Sequence, residues 1–342
     1  MPAALPYDRI VMPMVPWRVR LSCFVLVLVA GGSLAGAARP RPAPAVEPVS
    51  VVAHGSRALE KPSPIDQSLA LEVMHGVEPG PPPRDVTGEH YPRGLTLDGS
   101  TKRRTILFSF DDGPSRRTTP ELLDLLDQLD IRAVFFVKTE SFGRGNPWER
   151  EHSDIVREIA SRGHMIGNHT ETHRQLPLLN NAEIDAELAV SEAKIENAIG
   201  LRPRLIRPPG GALSTRVREL LAARGYTSVL WSVYTGDLEV DTADDVVRTF
   251  FRVLKRRERE TGDRGGIVLL HDTQPHSLDA VPRLVDALKR RNCDLLERNE
   301  ELYDIVDDVG YFIPGHEPTS LDERQAELEA RTRRDCAALA LR

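Results

Sequence analysis

Between Arg104 and Arg291, six short apolar runs alternate with six longer amphipathic stretches. That alternation restricts the chain to a parallel α/β architecture. The expected strands are Thr105–Phe110, Ala133–Val137, Met165–Gly167, Leu205–Ile206, Thr227–Trp231 and Ile267–Leu270. The expected helices are Thr118–Leu129, Ser153–Arg162, Ala182–Ile199, Thr215–Arg224, Ala243–Arg259 and Leu278–Arg291. Ser153, Ser214, Thr242 and Ser277 stand where an N-cap belongs, and Gly163, Gly200, Gly225 and Gly262 stand just past helix ends. Within 182–199, Ile184, Leu188, Ile195 and Ile199 share one face. Strands joined this way form a parallel sheet or barrel, and in such barrels the active site lies where the strands end.

The flanks differ in composition. Leu21 to Ala38 carries no charge and follows a basic lead, Trp17-Arg18-Val19-Arg20. Its first half is strongly apolar and its second half small, with Ala35-Gly36-Ala37 near the end. This is the pattern of a secretory signal cleaved after Ala37, or of a membrane tether if it stays uncleaved. Either way, the rest of the chain is expected to be exported to a periplasmic, cell-envelope or secreted location. Prolines then punctuate a stretch poor in large apolar residues. The expected division is 1–38 signal or anchor, 39–103 Pro-rich linker, 104–315 α/β domain and 316–342 helical tail. Ser320-Leu321-Asp322-Glu323 fits a capping box for the tail helix. A net charge of −6 carries no signature of nucleic-acid binding. With three cysteines and no Cys-x-x-Cys, a cysteine-built zinc site is excluded. Cys293 and Cys336 either pair or are spectators.

Chemistry-bearing residues recur at the expected strand ends. Phe110-Asp111-Asp112-Gly113-Pro114 sets two carboxylates where a buried strand stops. His169-Thr170-Glu171-Thr172-His173 places two imidazoles four apart, on one face if the segment is a helical turn. With a carboxylate from another strand end they make a His₂Asp set that leaves positions for water and substrate, as hydrolytic metal sites do. Arg207-Pro208-Pro209-Gly210-Gly211 alone reads as an ordinary loop. Its Arg207 nevertheless forks well onto a carboxylate, and Gly210 lets a ligand approach the backbone N–H. The apolar strand Ile267 to Leu270 ends in His271-Asp272, and His271 suits proton transfer near neutrality. Asp237 after Trp231 reads as a turn residue or as the group that fixes a histidine tautomer. Five such signals at five strand ends point to one pocket.

In this order, these motifs resemble the polysaccharide deacetylase family, carbohydrate esterase family 4 with its NodB homology domain, over about Arg104 to Phe312. The resemblance implies a distorted (β/α) barrel and metal-dependent removal of N- or O-acetyl groups from a polysaccharide such as peptidoglycan or an exopolysaccharide. It implies Asp112, His169 and His173 as metal ligands, for zinc or another divalent ion such as Co2+, Ni2+ or Mn2+. It implies Asp111 as general base, oriented by Arg207, and the Gly210 N–H as an oxyanion donor. His271, held by Asp237, is implied as general acid, with Leu269 and Trp231 lining the pocket. Gly210, Leu238 and Ser232 depart from the family pattern, where Tyr, Trp and Asp often stand, and they touch the groove more than the reaction. A small cyclic-amide hydrolase on the same fold, an iron oxygenase using two His and one carboxylate, and a glycan-binding relative without catalysis are the competing readings.

Overall fold

The computed structural model describes residues 84–143 and 145–339. The apolar run Leu21–Ala38 and the linker up to residue 83 lie outside the described residues. One ten-stranded sheet organises the chain, with strands β1 (Thr96–Leu97), β2 (Ser100–Thr101), β3 (Thr105–Asp111), β4 (Val134–Val137), β5 (Met165–Asn168), β6 (Leu205–Ile206), β7 (Thr227–Val229), β8 (Val233–Tyr234), β9 (Gly265–His271) and β10 (Asp304–Val306). The order is β1-β7-β6-β5-β4-β3-β9-β2, with β10 on β3 and β8 on β9. Every pair is parallel except β2–β9. Among the described residues no ladder joins β7 to β8, so the barrel is nearly closed rather than complete.

Among the described residues seven helices accompany it: α1 (Thr118–Gln128), α2 (Pro147–Ser161), α3 (Asn181–Ile199), α4 (Thr215–Ala223), α5 (Ala243–Thr261), α6 (Pro275–Glu297) and α7 (Leu321–Leu339). Strand alternation sorts the core into two layers. Ile106, Phe108, Phe110, Phe135, Ile166, Val268 and Leu270 face outward and pack with helix residues such as Leu122, Ile159, Phe250 and Leu284. Leu107, Val134, Phe136, Met165, Leu205, Val229 and Ile267 face inward and pack on one another. The inward parity continues to Ser109 and Asp111, to Gly167 and His169, to Arg207, to Trp231 and to Leu269 and His271. Period two therefore delivers these residues to one mouth. Gly167 also makes room, since a Cβ there would meet the Phe136 ring at 2.4 Å.

Several expectations shift. The helix expected at Ser153 begins at Pro147, where the Asn146 side chain accepts the Glu149 N–H and Pro147 suits the first turn. Ser153 instead lies inside that helix and donates to the Gly143 and Glu149 carbonyls. Ser277 is likewise interior, because α6 starts at Pro275. Ser214 and Thr242 do cap their helices. Thr227–Trp231 ends early at Val229, and β1, β2, β8 and β10, each two or three residues long, carry too little periodicity to read. Residues 84–103, read from composition as linker, join the sheet: Val86 and Thr87 carbonyls accept from Ile166 and Arg204 N–H, and β1 pairs β7. In the tail helix, Leu328 and Thr332 are buried, Arg324 pairs with Asp304, and Cys336 forms a disulfide with Cys293 of α6. Closing a loop with a sequence separation of 43 is worth about 2–4 kcal/mol.

One buried group links stability to acidity. His164 is fully buried, and its Nδ1 accepts the Ala133 N–H at 3.1 Å, which requires the neutral ring. Burial first, then the Arg132 charge, pushes its pKa down to about 3. Between pH 6.5 and 3 the unfolded chain therefore holds a proton the folded chain lacks, so stability falls as pH falls through that window. At pH 5 this term costs roughly 2 kcal/mol. Urea unfolding at pH 7.5 and pH 5 should show wild type losing that much more than His164→Asn, whose amide oxygen keeps an acceptor. Equal losses would contradict it.

Candidate active site

Adjacent strand ends assemble the site. Asp111 and His271 are register partners on β3 and β9. Val137 pairs with Asn168, and Asn168 with Ile206, so His169 and Arg207 leave neighbouring strands at one level. Asp112 would point outward by strand parity. Its backbone takes φ 71° instead and turns the carboxylate over the mouth. The following Gly113 lies against Asp272, whose carboxylate would be 2.1 Å from a Cβ there, so the turn admits only glycine.

Three donor atoms converge beside that turn. Asp112 Oδ1 lies 3.5 Å from His169 Nε2 and 3.2 Å from His173 Nε2. One ligand atom from each of the three residues lies within 4.8 Å of the others. His169 Nδ1 sits 2.6 Å from the Arg207 carbonyl, an acceptor only, so Nδ1 carries the hydrogen and Nε2 presents a bare lone pair. Asp112 Oδ1 is buried without a hydrogen-bond partner. Burial pushes the His169 pKa down to about 3, so the ring is neutral. Lone pairs facing one another with no proton between them fit a divalent cation, and the N₂O donor set suits zinc or a similar first-row ion. The pair does not lie on a helical turn. Residues 169–175 form a loop with left-handed backbone at Thr170 (φ 68°) and His173 (φ 61°).

Beside the donors, Asp111 is buried and bound by Arg207, 2.7 Å from Asp111 Oδ1. Arg207 is wholly buried. Its other donors reach Ser109 Oγ at 2.8 Å and the Val229 and Leu230 carbonyls at 2.9 and 3.2 Å. Its guanidinium stacks 4.0 Å from the Phe136 ring centroid and 5.6 Å from that of Trp231. Arg207 therefore occupies Oδ1, while Oδ2 faces the donor set, 3.8 Å from His169 Nε2. Burial pushes the Asp111 carboxyl up, and the Arg207 charge opposes this.

At the end of β9, the strand next to β3, His271 Nε2 lies 3.9 Å from Asp112 Oδ2. Its Nδ1 is 3.0 Å from Asp237 Oδ1, which fixes the tautomer. Asp237 is fully buried, and its Oδ2 accepts from the His271 N–H and from Ser277 Oγ, at 2.7 and 2.6 Å. His276 Nε2 lies 2.6 Å from the Asp237 carbonyl. Burial disfavours the charged His271 ring, but the Asp237 hydrogen bond and charge outweigh it, and the pKa rises to about 8. Leu269 is buried two residues before His271, and Gly210 is exposed at φ 63° beyond Arg207. Leu238 is 53 % exposed, whereas Ser232 spends its hydroxyl on the Gly99 carbonyl and so serves the sheet rather than a groove.

Sequence reading missed the residues that support these. Ser277 reads as a cap but holds Asp237. Ser109 reads as a strand residue but holds Arg207. Asp272 is buried beside the Gly113 turn. Its Oδ2 accepts from Thr119, its Oδ1 has no partner, and burial pushes its carboxyl up to about 7. Asn168 donates to Ser191 and Tyr226 and accepts the Thr170 N–H at 2.7 Å. Each depends on a partner far along the chain, which no local pattern reveals.

Residues 98–229 match the family model described as polysaccharide deacetylase. A peptidoglycan-N-acetylglucosamine deacetylase of Bacillus cereus is 28 % identical over 199 residues, covering 57 % of this chain and 67 % of that protein. Chitin deacetylase 1 of Saccharomyces cerevisiae is 39 % identical over 179 residues, covering 52 % and 55 %. The matched segment thus spans between half and two thirds of these curated relatives. The solved chitin deacetylase of the fungus Colletotrichum lindemuthianum superposes with a TM-score of 0.52 at 26 % identity, covering 59 % of this chain and 88 % of that one.

Proposed function

The chain belongs to the polysaccharide deacetylase family, and from that premise we propose that it is an exported, metal-dependent hydrolase that removes acetyl groups from the amide nitrogens of an N-acetylglucosamine-containing glycan. The observation that carries the reading is the placement of Asp111 and His271, register partners at the ends of adjacent strands, each beside the Asp112, His169 and His173 donors. Relatives named for peptidoglycan and for chitin suggest the substrate class. The mouth is open to solvent at His173 and Leu238, which suits a polymer lying across it better than an enclosed small molecule.

A divalent ion held by Asp112, His169 and His173, zinc first among the candidates, would polarise the acetyl carbonyl and acidify the attacking water. The remaining work falls to side chains. Asp111 Oδ2 takes the proton of the attacking water, while Arg207 holds Oδ1 and keeps the carboxylate in register with His271. The Gly210 N–H is assigned to the oxygen of the tetrahedral intermediate. His271 Nε2 gives its proton to the leaving nitrogen as the C–N bond breaks, and Asp237 stabilises the imidazolium beforehand. Water is consumed, and acetate and a free amine are released. Leu269 and Trp231 are assigned to the wall around the acetyl methyl.

The Cys293–Cys336 bond supports export, because structural disulfides persist in oxidising compartments, and the Leu21–Ala38 pattern supports it independently. The test is acetate and free-amine release by the full chain from peptidoglycan, chitin oligomers, β-1,6-linked N-acetylglucosamine and acetyl-xylan. Equimolar acetate and amine from a glucosamine-based glycan is expected. No acetate from any of the four would overturn the reading.

A further inference from the structure

His169 is steadied by the end of β5, where its N–H donates to the Val137 carbonyl at 2.9 Å. His173 has no strand behind it. Its place beside Asp112 depends on the 169–175 loop, in which a β-branched Thr170 and His173 itself adopt left-handed backbone. Such backbone persists only where surrounding bonds over-determine it. Asn168 and the Thr170 hydroxyl fix the first half of the loop, accepting from the Thr170 and His173 N–H groups.

The second half is held from α3. Glu187 Oε2 accepts the Glu171 N–H at 3.1 Å and the Thr172 N–H at 2.8 Å, and Glu187 Oε1 accepts from the Thr172 hydroxyl. Glu187 is 7 % exposed, and among the described residues it makes no ion pair. A buried carboxylate without a counter-ion needs hydrogen-bond donors, and the loop amides supply them. Loop and carboxylate thus fix each other: Glu171 keeps its bonds to Glu140 N–H and Lys194, but released from Glu187 the Thr172 amide and hydroxyl lose their partner, and His173 next to it loses its place.

We propose that Glu187 is a positioning residue that sets cation affinity through His173. This rests on Asp112, His169 and His173 being the cation ligands.

The test is Zn2+ affinity of the chelator-stripped full chain, read by competition with a chromophoric chelator. The proteins are wild type, Glu187→Gln, His173→Ala and the double variant. Gln keeps one acceptor but turns an N–H₂ toward loop donors. Glu187→Gln is expected to weaken Zn2+ binding about 10–100-fold. In the His173→Ala background the same change should add less than about 2-fold, because its route is already gone. Wild-type affinity in Glu187→Gln overturns the proposal, and so does an equal loss in both backgrounds, the mark of a general structural effect. Should Glu187→Gln not fold, Thr172→Val removes one loop donor alone and is expected to weaken Zn2+ binding in the same direction. No change there overturns the proposal. If wild type binds Zn2+ no better than His169→Ala, the ligand set itself is wrong, a failure distinct from the others.

Discussion

Asp111→Asn is expected to lower kcat by about 10²–10⁴-fold and to spare zinc binding. The side chain keeps its size but cannot take a proton. Asp111 is not in the ligand set, and Arg207 engages its Oδ1 while Oδ2 faces the site. The loss therefore falls on kcat rather than on metal affinity. A stability cost comes with it, because Arg207 is wholly buried and loses its only carboxylate partner among the described residues. Breaking a buried pair costs about 3–5 kcal/mol when nothing replaces it. Ser109 and the Val229 and Leu230 carbonyls still accept from the guanidinium, so the expected cost lies at or below the low end of that range. Turnover per folded, zinc-loaded molecule is the quantity to compare. A variant retaining more than a tenth of wild-type kcat would remove Asp111 from the general-base role.

Replacing His271 by Gln should lower kcat by about 10²–10³-fold and abolish the alkaline limb of the pH profile. In the proposed mechanism the working form of His271 is protonated. Its pKa, raised to about 8 by Asp237 against the effect of burial, keeps it so at neutrality. Wild-type kcat therefore falls as pH rises through that region, losing tenfold per unit beyond it. A bound dication nearby favours the neutral ring and moves this limb below 8. Asp237→Asn removes the charge and hydrogen bond that raise the pKa, and it should move the limb to lower pH. An alkaline limb that survives unchanged in His271→Gln would belong to another group.

Much of the fold was legible because the periodicity that builds a parallel barrel also exposes its strands. The alternation in Thr105 to Phe110 sends Leu107 inward and Phe108 outward, and it extends without interruption to Asp111. The same parity holds through Ile267, Leu269 and His271. A charged or polar residue at the buried end of an apolar strand is hard to explain by packing alone, and so the candidate residues are visible. The helix at Pro147 was not, because Asn146-Pro147 is a stronger start signal than Ser153 but lies among prolines and glycines that read as loop. The i, i+4 spacing of His169 and His173 suits a helical turn and this loop equally. Only the left-handed backbone at Thr170 and His173, fixed by Asn168 and Glu187, separates the two. Residues 84–103 have the composition of a linker, whereas their place in the sheet comes from backbone hydrogen bonds that any sequence can make. Ser277, Ser109 and Glu187 act through partners at separations of 15 to 98 residues, beyond any local pattern.

Acetate release against added zinc tests the assignment most directly. The full chain is stripped with chelator, titrated with Zn2+, and assayed on a chitin oligomer and on peptidoglycan beside His169→Ala. Activity should be absent in the stripped protein, rise linearly to one equivalent and then stay level, with His169→Ala inactive throughout. Undiminished activity in the stripped protein, or in His169→Ala, would contradict a hydrolase built around Asp112, His169 and His173.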